Sequence, residues 1–441
     1  MARGGPAGGI RNAARRGCIP GIQTGLGSWI LICTAARCIC RFLIGGFMKK
    51  KIIIAGNGFA SLFFIMYFLG SPVFPFFAWF FRRIHSRYDI TVIGNGTFVY
   101  IPAIPEFLTG KRNKEGISVD IRPFLQRRNI RLVEGRVTDV RNGGRTVVTD
   151  RGTYTNDALF LGTGPSFRKD SIPGTEEHTY SPCYGPDDMD RFMSKLASLD
   201  GGIVYIGFKI NKSDGFVAGR TGPMYECACL LDYALRERGV RDRFEIHFFS
   251  PNRSPGEKGV LTDRLREREI ILDDGYAPVE FVEGGMVDRD GTFRKADLVL
   301  YSPEMTGPKF AQQSCLSISA GGHLDVDRYG QARGLHNVFA AGDCASHENP
   351  PPWVPHQAHM AQLRAKAAAR NMKAVLAGKS ATNRYRHELS CILDMENDAL
   401  WMHVSEDGRP PFWNIFPKRS KMLIRVKRSF ERIFLFYLRY L

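Results

Sequence analysis

The chain has 441 residues, of which 44% are hydrophobic and 24% are charged. This composition excludes a disordered or fibrous protein, and the length predicts two or three domains. The formal net charge of +17 indicates a polyanionic partner, either nucleic acid or an acidic lipid surface. The ten cysteines include no repeated Cys-x-x-Cys pairs, so neither structural zinc nor a disulfide scaffold is expected.

Residues 1–47 contain six arginines and no acidic residue, a composition found in transit and secretory segments. They show neither a clear periodicity nor a small-residue cleavage site, and the first predicted strand begins just after Met48. We therefore interpret residues 1–47 as an N-terminal extension of uncertain role rather than as a folded element.

The first predicted unit is a strand at Ile52–Ala55, a glycine turn and a helix at Phe59–Leu69. In this context Gly56 and Gly58 leave bare backbone at a helix N-terminus, where a pyrophosphate binds. The third glycine of the usual pattern is replaced by Ser61, which still permits close packing.

The next predicted strand, Tyr88–Ile93, runs into Gly94 and Asn95 instead of an acidic residue. An acid at this position commonly holds the adenosine ribose of a dinucleotide. We expect Asn95 to take that role here.

Two further apolar strands end in glycine turns downstream, in NDALFLGTGP (residues 156–165) and NVFAAGDCA (residues 337–345). With the first turn, they resemble the flavoproteins that have two dinucleotide-binding domains and build one FAD site from three such motifs. The resemblance implies that Gly56, Gly58, Thr163 and Gly164 approach the pyrophosphate. It also implies that Asp343, after Gly342, accepts hydrogen bonds from the ribityl chain.

A second strand and helix unit begins at residues 202–207, where the superfamily would bind a pyridine nucleotide. Residues 208–221 insert a long loop in place of clustered glycines, and the following strand, Phe244–Phe249, ends in Ser250 rather than an acid. The sequence therefore predicts a degenerate unit that does not take NADH as its main substrate.

Several segments resemble the sulfide:quinone oxidoreductases and flavocytochrome c sulfide dehydrogenases, among them ITVIGNGTFVYIPAIPEFLTG, GPMYECACLLDYALRERGVRDRF, YSPEMTGP and SCILDMEND. The resemblance places Pro105 beside the flavin and directs the N-terminus of the helix after Pro355 at the flavin N1 and O2. His356 stands where many members have lysine. It is either a flavin partner or a helix-start residue.

The family uses cysteines beside the flavin, because an ionised thiol is the nucleophile. Cys183 and Cys391 match two of its three positions, and the third is Arg220 here. The usual sulfur bridge then requires Cys227 or Cys229 to approach Cys391. We favour the alternative that four cysteines are ordinary small core residues, namely Cys227, Cys229, Cys315 and Cys344.

The positive charge is concentrated at the C-terminus, where residues 418–441 predict an amphipathic helix. One stripe carries its apolar residues, namely Leu423, Val426, Phe430, Ile433, Phe434, Tyr437, Leu438 and Leu441. Arginines lie largely off that stripe, which predicts a helix lying in an anionic membrane surface. The alternative is a helix docked on the core.

A second apolar stretch, Leu62–Phe81, is interrupted by glycine and proline, and we predict a buried helix followed by an aromatic insertion at Phe74–Phe81 that dips into lipid.

The predicted fold class is α/β, with two Rossmann-like dinucleotide-binding domains, the FAD domain being discontinuous, and a C-terminal membrane-binding segment. After the extension, the predicted boundaries are 48–165 and 296–380 for the FAD domain, 166–295 for the second domain and 381–441 for the C-terminal segment.

The predicted function is electron transfer from sulfide or a related sulfur donor to quinone, with the donor a small molecule. The protein is expected to be peripheral and monotopic, on the cytoplasmic side of the cell membrane. No nucleic-acid motif is present, and the oligomeric state is not predicted. The alternatives are a type II NADH:quinone oxidoreductase and a non-enzymatic FAD-binding membrane protein.

Overall fold

The structure, a computed structural model, describes residues 49–70, 87–210, 221–251, 259–408 and 418–441. The predicted N-terminal extension, the aromatic insertion at Phe74–Phe81, Arg220 and most of the loop at 208–221 lie outside these residues.

The strands are β1 (Lys50–Ala55), β2 (Tyr88–Gly94), β3 (Thr97–Val99), β4 (Ser118–Asp120), β5 (Arg131–Glu134), β6 (Val137–Arg141), β7 (Thr146–Thr149), β8 (Gly152–Thr155), β9 (Ala158–Leu161), β10 (Ser166–Phe167), β11 (Gly202–Phe208), β12 (Phe244–Ser250), β13 (Ile271–Asp274), β14 (Glu280–Val282), β15 (Gly285–Val287), β16 (Phe293–Lys295), β17 (Leu298–Ser302), β18 (Met305–Thr306), β19 (Val338–Ala340), β20 (Glu388–Asp394), β21 (Ala399–Ser405) and β22 (Arg419–Ser420).

The α-helices are α1 (Phe59–Leu69), α2 (Lys114–Ile117), α3 (Arg122–Gln126), α4 (Thr175–His178), α5 (Pro186–Ala197), α6 (Thr221–Glu237), α7 (Val260–Arg266), α8 (Ala358–Leu376) and α9 (Lys421–Tyr440). Short 3-10 helices occur at Ile101–Thr109, Lys169–Ser171, Pro182–Tyr184, Arg241–Arg243 and Lys309–Gln313.

The first sheet is parallel and has the strand order β19-β9-β1-β2-β5. Its central strands are apolar runs buried on both faces, as parallel strands covered by helices require. Helix α1 packs against α8 and is buried almost all round, which explains its apolar sequence. The late strand β19 lies beside β9, so segments distant in the chain share this sheet.

The second sheet is also parallel, with the order β13-β12-β11-β17. Because β17 pairs with β11, this unit extends to Ser302, past the predicted boundary at residue 295. Antiparallel meanders, β6-β7-β8 and β14-β15-β16, accompany the two sheets. The α/β class with two parallel, Rossmann-like sheets is confirmed.

The C-terminal part adds an antiparallel sheet, β20-β21-β22, and the long helix α9. One continuous hydrophobic core includes Ile54 of the first sheet, Val204 of the second and Phe434 of α9. Helix α9 is therefore part of the folded core as well as the last element of the chain.

Candidate functional site: three glycine turns and a buried histidine

The first turn leaves β1 at Gly56, whose φ of 94° favours glycine. A Cβ at Gly56 would lie 2.3 Å from the carbonyl oxygen of Gly162, so no other residue fits without movement of the backbone. At Gly58, by contrast, a Cβ would meet no heavy atom within 4 Å. Open space therefore lies in front of the N-terminus of α1, where free backbone N–H groups favour an anion.

The middle turn follows β9 and packs on the first turn through Ser61. The buried Ser61 hydroxyl donates to the carbonyl oxygen of Gly162 at 3.4 Å, so serine satisfies a backbone group where a third glycine is usual. Gly164 has a φ of 75° and open space around its Cβ position. The Thr163 hydroxyl is buried and has no hydrogen-bond partner among the described residues. A bound polar group would satisfy it.

The late turn follows β19 and is held from below by Arg364. This buried guanidinium donates to the carbonyl oxygens of Gly342 at 3.1 Å, Ala345 at 3.0 Å and Ser346 at 2.5 Å. Since β19, β9 and β1 are neighbours, the sheet brings all three turns to one edge. Asp343, which follows Gly342 in the late turn, has its Oδ1 3.5 Å from Nδ1 of His356.

Asn95 lies beside the first turn, in a short loop that Asn57 stabilises. The Asn57 Oδ1 accepts from the backbone N–H of Asn95 at 3.2 Å, and its amide donates to the Thr97 carbonyl at 2.6 Å. The Oδ1 of Asn95 accepts from the Thr97 N–H at 3.1 Å. One end of the Asn95 side chain is therefore already used within the loop, which leaves its role toward a ribose a prediction.

Pro105 and His356 are both buried. Pro105 lies inside the 3-10 helix Ile101–Thr109, which packs against α6. His356 lies just before α8 and stacks on His323, with ring centroids 5.2 Å apart and an interplanar angle of 21°. Burial lowers the pKa of His356 to about 4, although Asp343 acts in the opposite direction. His356 is therefore neutral at pH 7.

These residues fit FAD. Two of the turns offer open space beside glycines, a helix N-terminus faces the first, and the buried Thr163 hydroxyl lacks a protein partner. FAD would supply two-electron chemistry, and the open space at Gly58 and Gly164 leaves room for a pyrophosphate beside the backbone.

Cys183 and Cys391 lie on different elements. Cys183, in the 3-10 helix Pro182–Tyr184, has its Sγ 3.3 Å from the Ser302 hydroxyl at the carboxyl end of β17. Cys391 is in β20 opposite Met402. Burial raises the pKa of Cys391 to about 12, and Glu226 adds to this effect. The expected thiolate is therefore not the resting form of Cys391.

The remaining described cysteines are free thiols. Burial, followed by Glu226 and Cys183, raises the pKa of Cys227 well above its ordinary value. Burial likewise raises the pKa of Cys229 to about 12. Cys344 donates to the carbonyl oxygens of Leu161 and Ala341, which ties the middle and late turns together. The burial of Cys227, Cys229 and Cys344 supports their interpretation as core residues. Cys315 is exposed, so the same interpretation is wrong for Cys315.

In the second unit, the residues that the structure describes up to Ile210 do not form the turn seen in the first. After Gly207, β11 continues through Phe208, which pairs with Ser302, and the N–H of Lys209 donates to the Ser302 carbonyl at 2.9 Å. The chain thus stays extended where β1 bends at Gly56. A Cβ at Gly207 would lie 2.4 Å from the ring of Phe249.

The prediction that the whole apolar stripe of α9 faces lipid is wrong, because part of the stripe is buried in the protein. Leu423, Phe434, Tyr437 and Leu438 are buried in the protein. The Phe434 ring lies 5.3 to 6.3 Å, between centroids, from an aromatic group made of Phe59, Phe63, Phe98 and Tyr100. The core-docked alternative is therefore correct for this half of the stripe.

Charged groups also fix α9 to the protein. Lys427 is buried between Glu226 and Glu106, and these carboxylates raise the pKa of its amine despite desolvation. Burial raises the pKa of Glu226 to about 7. Arg428 bonds Glu396 at 2.9 Å, so this arginine faces the protein rather than a lipid headgroup.

The outer face of α9 is exposed and apolar. It carries Met422, Phe430, Ile433, Phe436, Tyr440 and Leu441. The exposed arginines Arg425, Arg432 and Arg439 flank it. Among the described helices, none has the length and apolarity needed to cross a membrane.

No protein-family model matches the chain. The sulfide-quinone reductase of Aquifex aeolicus is 25% identical over 421 residues, 89% of this chain and 92% of that protein. An NADH dehydrogenase-like protein of Mycobacterium tuberculosis is 28% identical over 325 residues, 67% and 73% of the two chains.

Solved structures give the same result for the fold. The sulfide:quinone oxidoreductase of Aquifex aeolicus has a TM-score of 0.72 at 22% identity, with 89% of this chain and 92% of that chain covered. NDH2 from Plasmodium falciparum in complex with NADH has a TM-score of 0.66 at 12% identity, with 88% and 97% covered. The resemblance to the sulfide:quinone oxidoreductases and the assignment of FAD are confirmed, and the chain is a divergent relative with the fold of FAD-dependent oxidoreductases.

Proposed function

We propose that this divergent relative of the sulfide-quinone reductases passes electrons from sulfide, or a related sulfur donor, through FAD to a membrane quinone. The observation that carries the proposal is the contrast between its two nucleotide units. Gly58 and Gly164 face open space in the first unit, whereas β11 of the second continues past Gly207 along β17. One unit can hold a resident cofactor, and in the other the described residues up to Ile210 do not form the turn that a transient NADH needs.

Each turn has a distinct role in holding FAD. The backbone at Gly56, Gly58 and Gly164 binds the pyrophosphate, and Ser61 keeps the first two turns packed together. Asp343 accepts from the ribityl hydroxyls, and Asn95 contacts the ribose. Pro105 and His356 border the isoalloxazine, toward which the positive N-terminus of α8 is directed.

Cys183 and Cys391 handle the donor sulfur. Cys183 is half-buried and has a hydroxyl partner in Ser302, so a small donor reaches it at the edge of the second sheet. Cys391 is also half-buried, and it rests as a neutral thiol because desolvation raises the pKa of its thiol to about 12. We assign the first contact with the donor to Cys183 and a later sulfur-carrying step to Cys391.

The outer face of α9 attaches the protein to the membrane. Its exposed aromatic and aliphatic side chains lie beside a row of arginines, an arrangement typical of interfacial helices that bind anionic lipid. Attachment from one side fits a reaction whose acceptor is dissolved in the bilayer. We place the protein peripherally on the cytoplasmic face of the cell membrane.

Anaerobic flavin bleaching tests the donor. We expect sulfide to bleach the flavin, and Cys183→Ser and Cys391→Ser each to slow bleaching about a hundredfold or more, as loss of a nucleophile does. Cys315→Ser, which removes an exposed thiol, serves as the control and is expected to bleach at the wild-type rate.

NADH is the discriminating second donor, because an NADH dehydrogenase-like protein is among the relatives. Millimolar NADH is expected to bleach the flavin slowly or not at all. Rapid, saturable bleaching by NADH with no response to sulfide would identify a type II NADH:quinone oxidoreductase instead. Bound flavin that no donor reduces would indicate a non-enzymatic FAD-binding protein.

A further inference from the structure

Four buried histidines form a row behind the late glycine turn. His323 stacks on His356, the ring of His356 lies 5.1 Å from that of His347, and His347 lies 5.5 Å from His387, all measured between centroids. All four are buried. They come from separate stretches of the chain, and we call them the histidine row.

The inner end of the row reaches the cofactor turn. His356 Nδ1 lies 3.5 Å from Oδ1 of Asp343, the residue that follows Gly342. Because the FAD-binding turn itself provides Asp343, a proton at His356 is one step from the cofactor edge.

The outer end of the row reaches the surface. His387 Nδ1 lies 2.9 Å from Oε2 of Glu406, whose side chain is 26% exposed and is also paired with Arg328. The other ring nitrogen of His387, Nε2, is buried and has no hydrogen-bond partner within the described part of the chain. His387 thus has one nitrogen on a surface carboxylate and the other inside the protein, near His347.

Burial keeps three members of the row, His347, His356 and His387, neutral at pH 7. Burial lowers the pKa of His347 well below its ordinary value and that of His387 to about 4, and the buried Arg364 adds to both effects. Arg328 also disfavours a charged His387, whereas Glu406 favours it, and the ring of Tyr385 packs on His387. A neutral imidazole has one N–H donor and one acceptor nitrogen, so it can take a proton on one side and release another on the opposite side.

We propose that the histidine row is a proton path between Glu406 and the cofactor edge at Asp343 and His356. A proton leaves the Glu406 carboxyl for His387, His387 releases the proton from its other nitrogen to His347, and His347 passes one in the same way to His356. One proton enters and one leaves, no electrons move, and the rings reset by exchanging tautomers or by rotation. His323 supports the ring of His356 by stacking on it.

The proposal deepens the proposed function and rests on FAD binding at the three turns. Two-electron reduction of a flavin takes up a proton, and reduction of a quinone takes up two. A buried cofactor therefore needs a route to bulk water. The row provides one on the side of the late turn, and it works with any electron donor.

The first experiment measures proton uptake directly. The holoenzyme is reduced by flash photoreduction in unbuffered solution containing a pH-indicator dye, so that neither sulfide nor quinone is needed. His387→Gly is expected to slow proton uptake about tenfold or more at unchanged flavin content. His336→Asn, which alters an exposed histidine outside the row, is the matched control.

Chemical rescue separates a relay from a packing role. Imidazole added to His387→Gly is expected to restore fast uptake, whereas 1-methylimidazole, which fills the same space without an N–H to pass on, is expected to fail. Equal rescue by both compounds, or wild-type uptake by His387→Gly alone, would overturn the proposal. A wild-type protein that purifies without flavin absorbance would instead refute the proposed cofactor.

The second experiment does not depend on the cofactor. Hydrogen–deuterium exchange at the imidazole Cε1 carbons of the full-length protein as purified, followed by mass spectrometry, gives the titration of each histidine. Glu406→Gln, a conservative change at the partly exposed end, is expected to shift the titration of His387 and, through it, that of His347, but not that of His336. Unchanged titration of both His387 and His347 would show that the row is not coupled to the surface.

Discussion

At the residue scale, the glycines of the site differ in the reason why each position requires glycine. Gly56 is fixed by direct contact with the middle turn, whereas Gly58 and Gly164 adjoin open space. The first requires glycine for packing within the protein, and the other two leave room for a ligand. A sequence motif cannot separate these two reasons, since each residue appears only as glycine.

Gly56→Ala is expected to abolish retention of FAD, because its Cβ would lie 2.3 Å from the Gly162 carbonyl oxygen and force the first two turns apart. The left-handed backbone itself costs a non-glycine residue about 1–2 kcal/mol. Gly239→Ala is the matched control, since Gly239 has a φ of 68° but open space around its Cβ position. FAD per chain after gel filtration, together with thermal unfolding, measures both effects. Equal flavin content in the two variants would contradict the assignment.

At the element scale, α9 has two functions on two faces. The inner face carries Phe434 and Lys427 into the core, and the outer face presents exposed apolar side chains beside a row of arginines. Deletion of the whole helix would therefore expose the aromatic group around Phe434 and leave the buried carboxylate of Glu226 without its cation, Lys427. Membrane binding has to be tested on the outer face alone.

The double variant Ile433→Ser, Phe436→Ser is expected to weaken sedimentation with anionic liposomes about tenfold or more. Burial of each such side chain contributes roughly 1.5–3 kcal/mol, so even incomplete burial of two suffices for that change. Unfolding temperature and flavin content are expected to stay near wild type, because both side chains are exposed. Phe293→Ser, at an exposed phenylalanine of β16, is the control. Unchanged sedimentation of the double variant would exclude this face as the anchor.

At the scale of the whole molecule, two buried groups, His356 and Glu226, change the stability of the folded protein with pH in opposite directions. The pKa of His356 is lowered to about 4, so the unfolded chain binds a proton more readily than the folded one below pH 6.5. Its contribution to stability is full above pH 6.5 and is lost as pH falls toward 4. Glu226, whose pKa is raised to about 7, acts in the opposite sense, and its contribution is lost as pH rises from 4.5 to 7.

His356→Gln is therefore expected to make the protein less sensitive to acid. Between pH 7 and 4 the wild-type protein loses roughly 3 kcal/mol through this one residue, from a pKa shift of about 2.5 units at about 1.4 kcal/mol each. Urea unfolding of the two proteins at pH 7, 5.5 and 4 measures the difference between their profiles, in which the Glu226 contribution cancels. Parallel profiles would mean that His356 is protonated in the folded protein, against the effect of burial and the nearby Arg364.

The sequence by itself determined the elements that depend on local patterns. The apolar run at β1, the helix Phe59–Leu69 and the turns at Gly56, Gly164 and Gly342 all follow from residues adjacent in the chain. Their order was enough to indicate two parallel sheets and an FAD site, because strand, turn and helix are specified within a few residues.

Only the tertiary structure decided which side chains meet across long separations. Lys427 and Glu226 are 201 residues apart in the chain, and the histidine row joins positions from 323 to 387, including one on the flank of β20. The stripe on α9 had the correct period, yet period alone does not say whether a face covers a protein core or a lipid surface. That choice depends on whether another part of the chain supplies partners, as Phe59 and Glu106 do here, and such partners are fixed by packing rather than by local sequence.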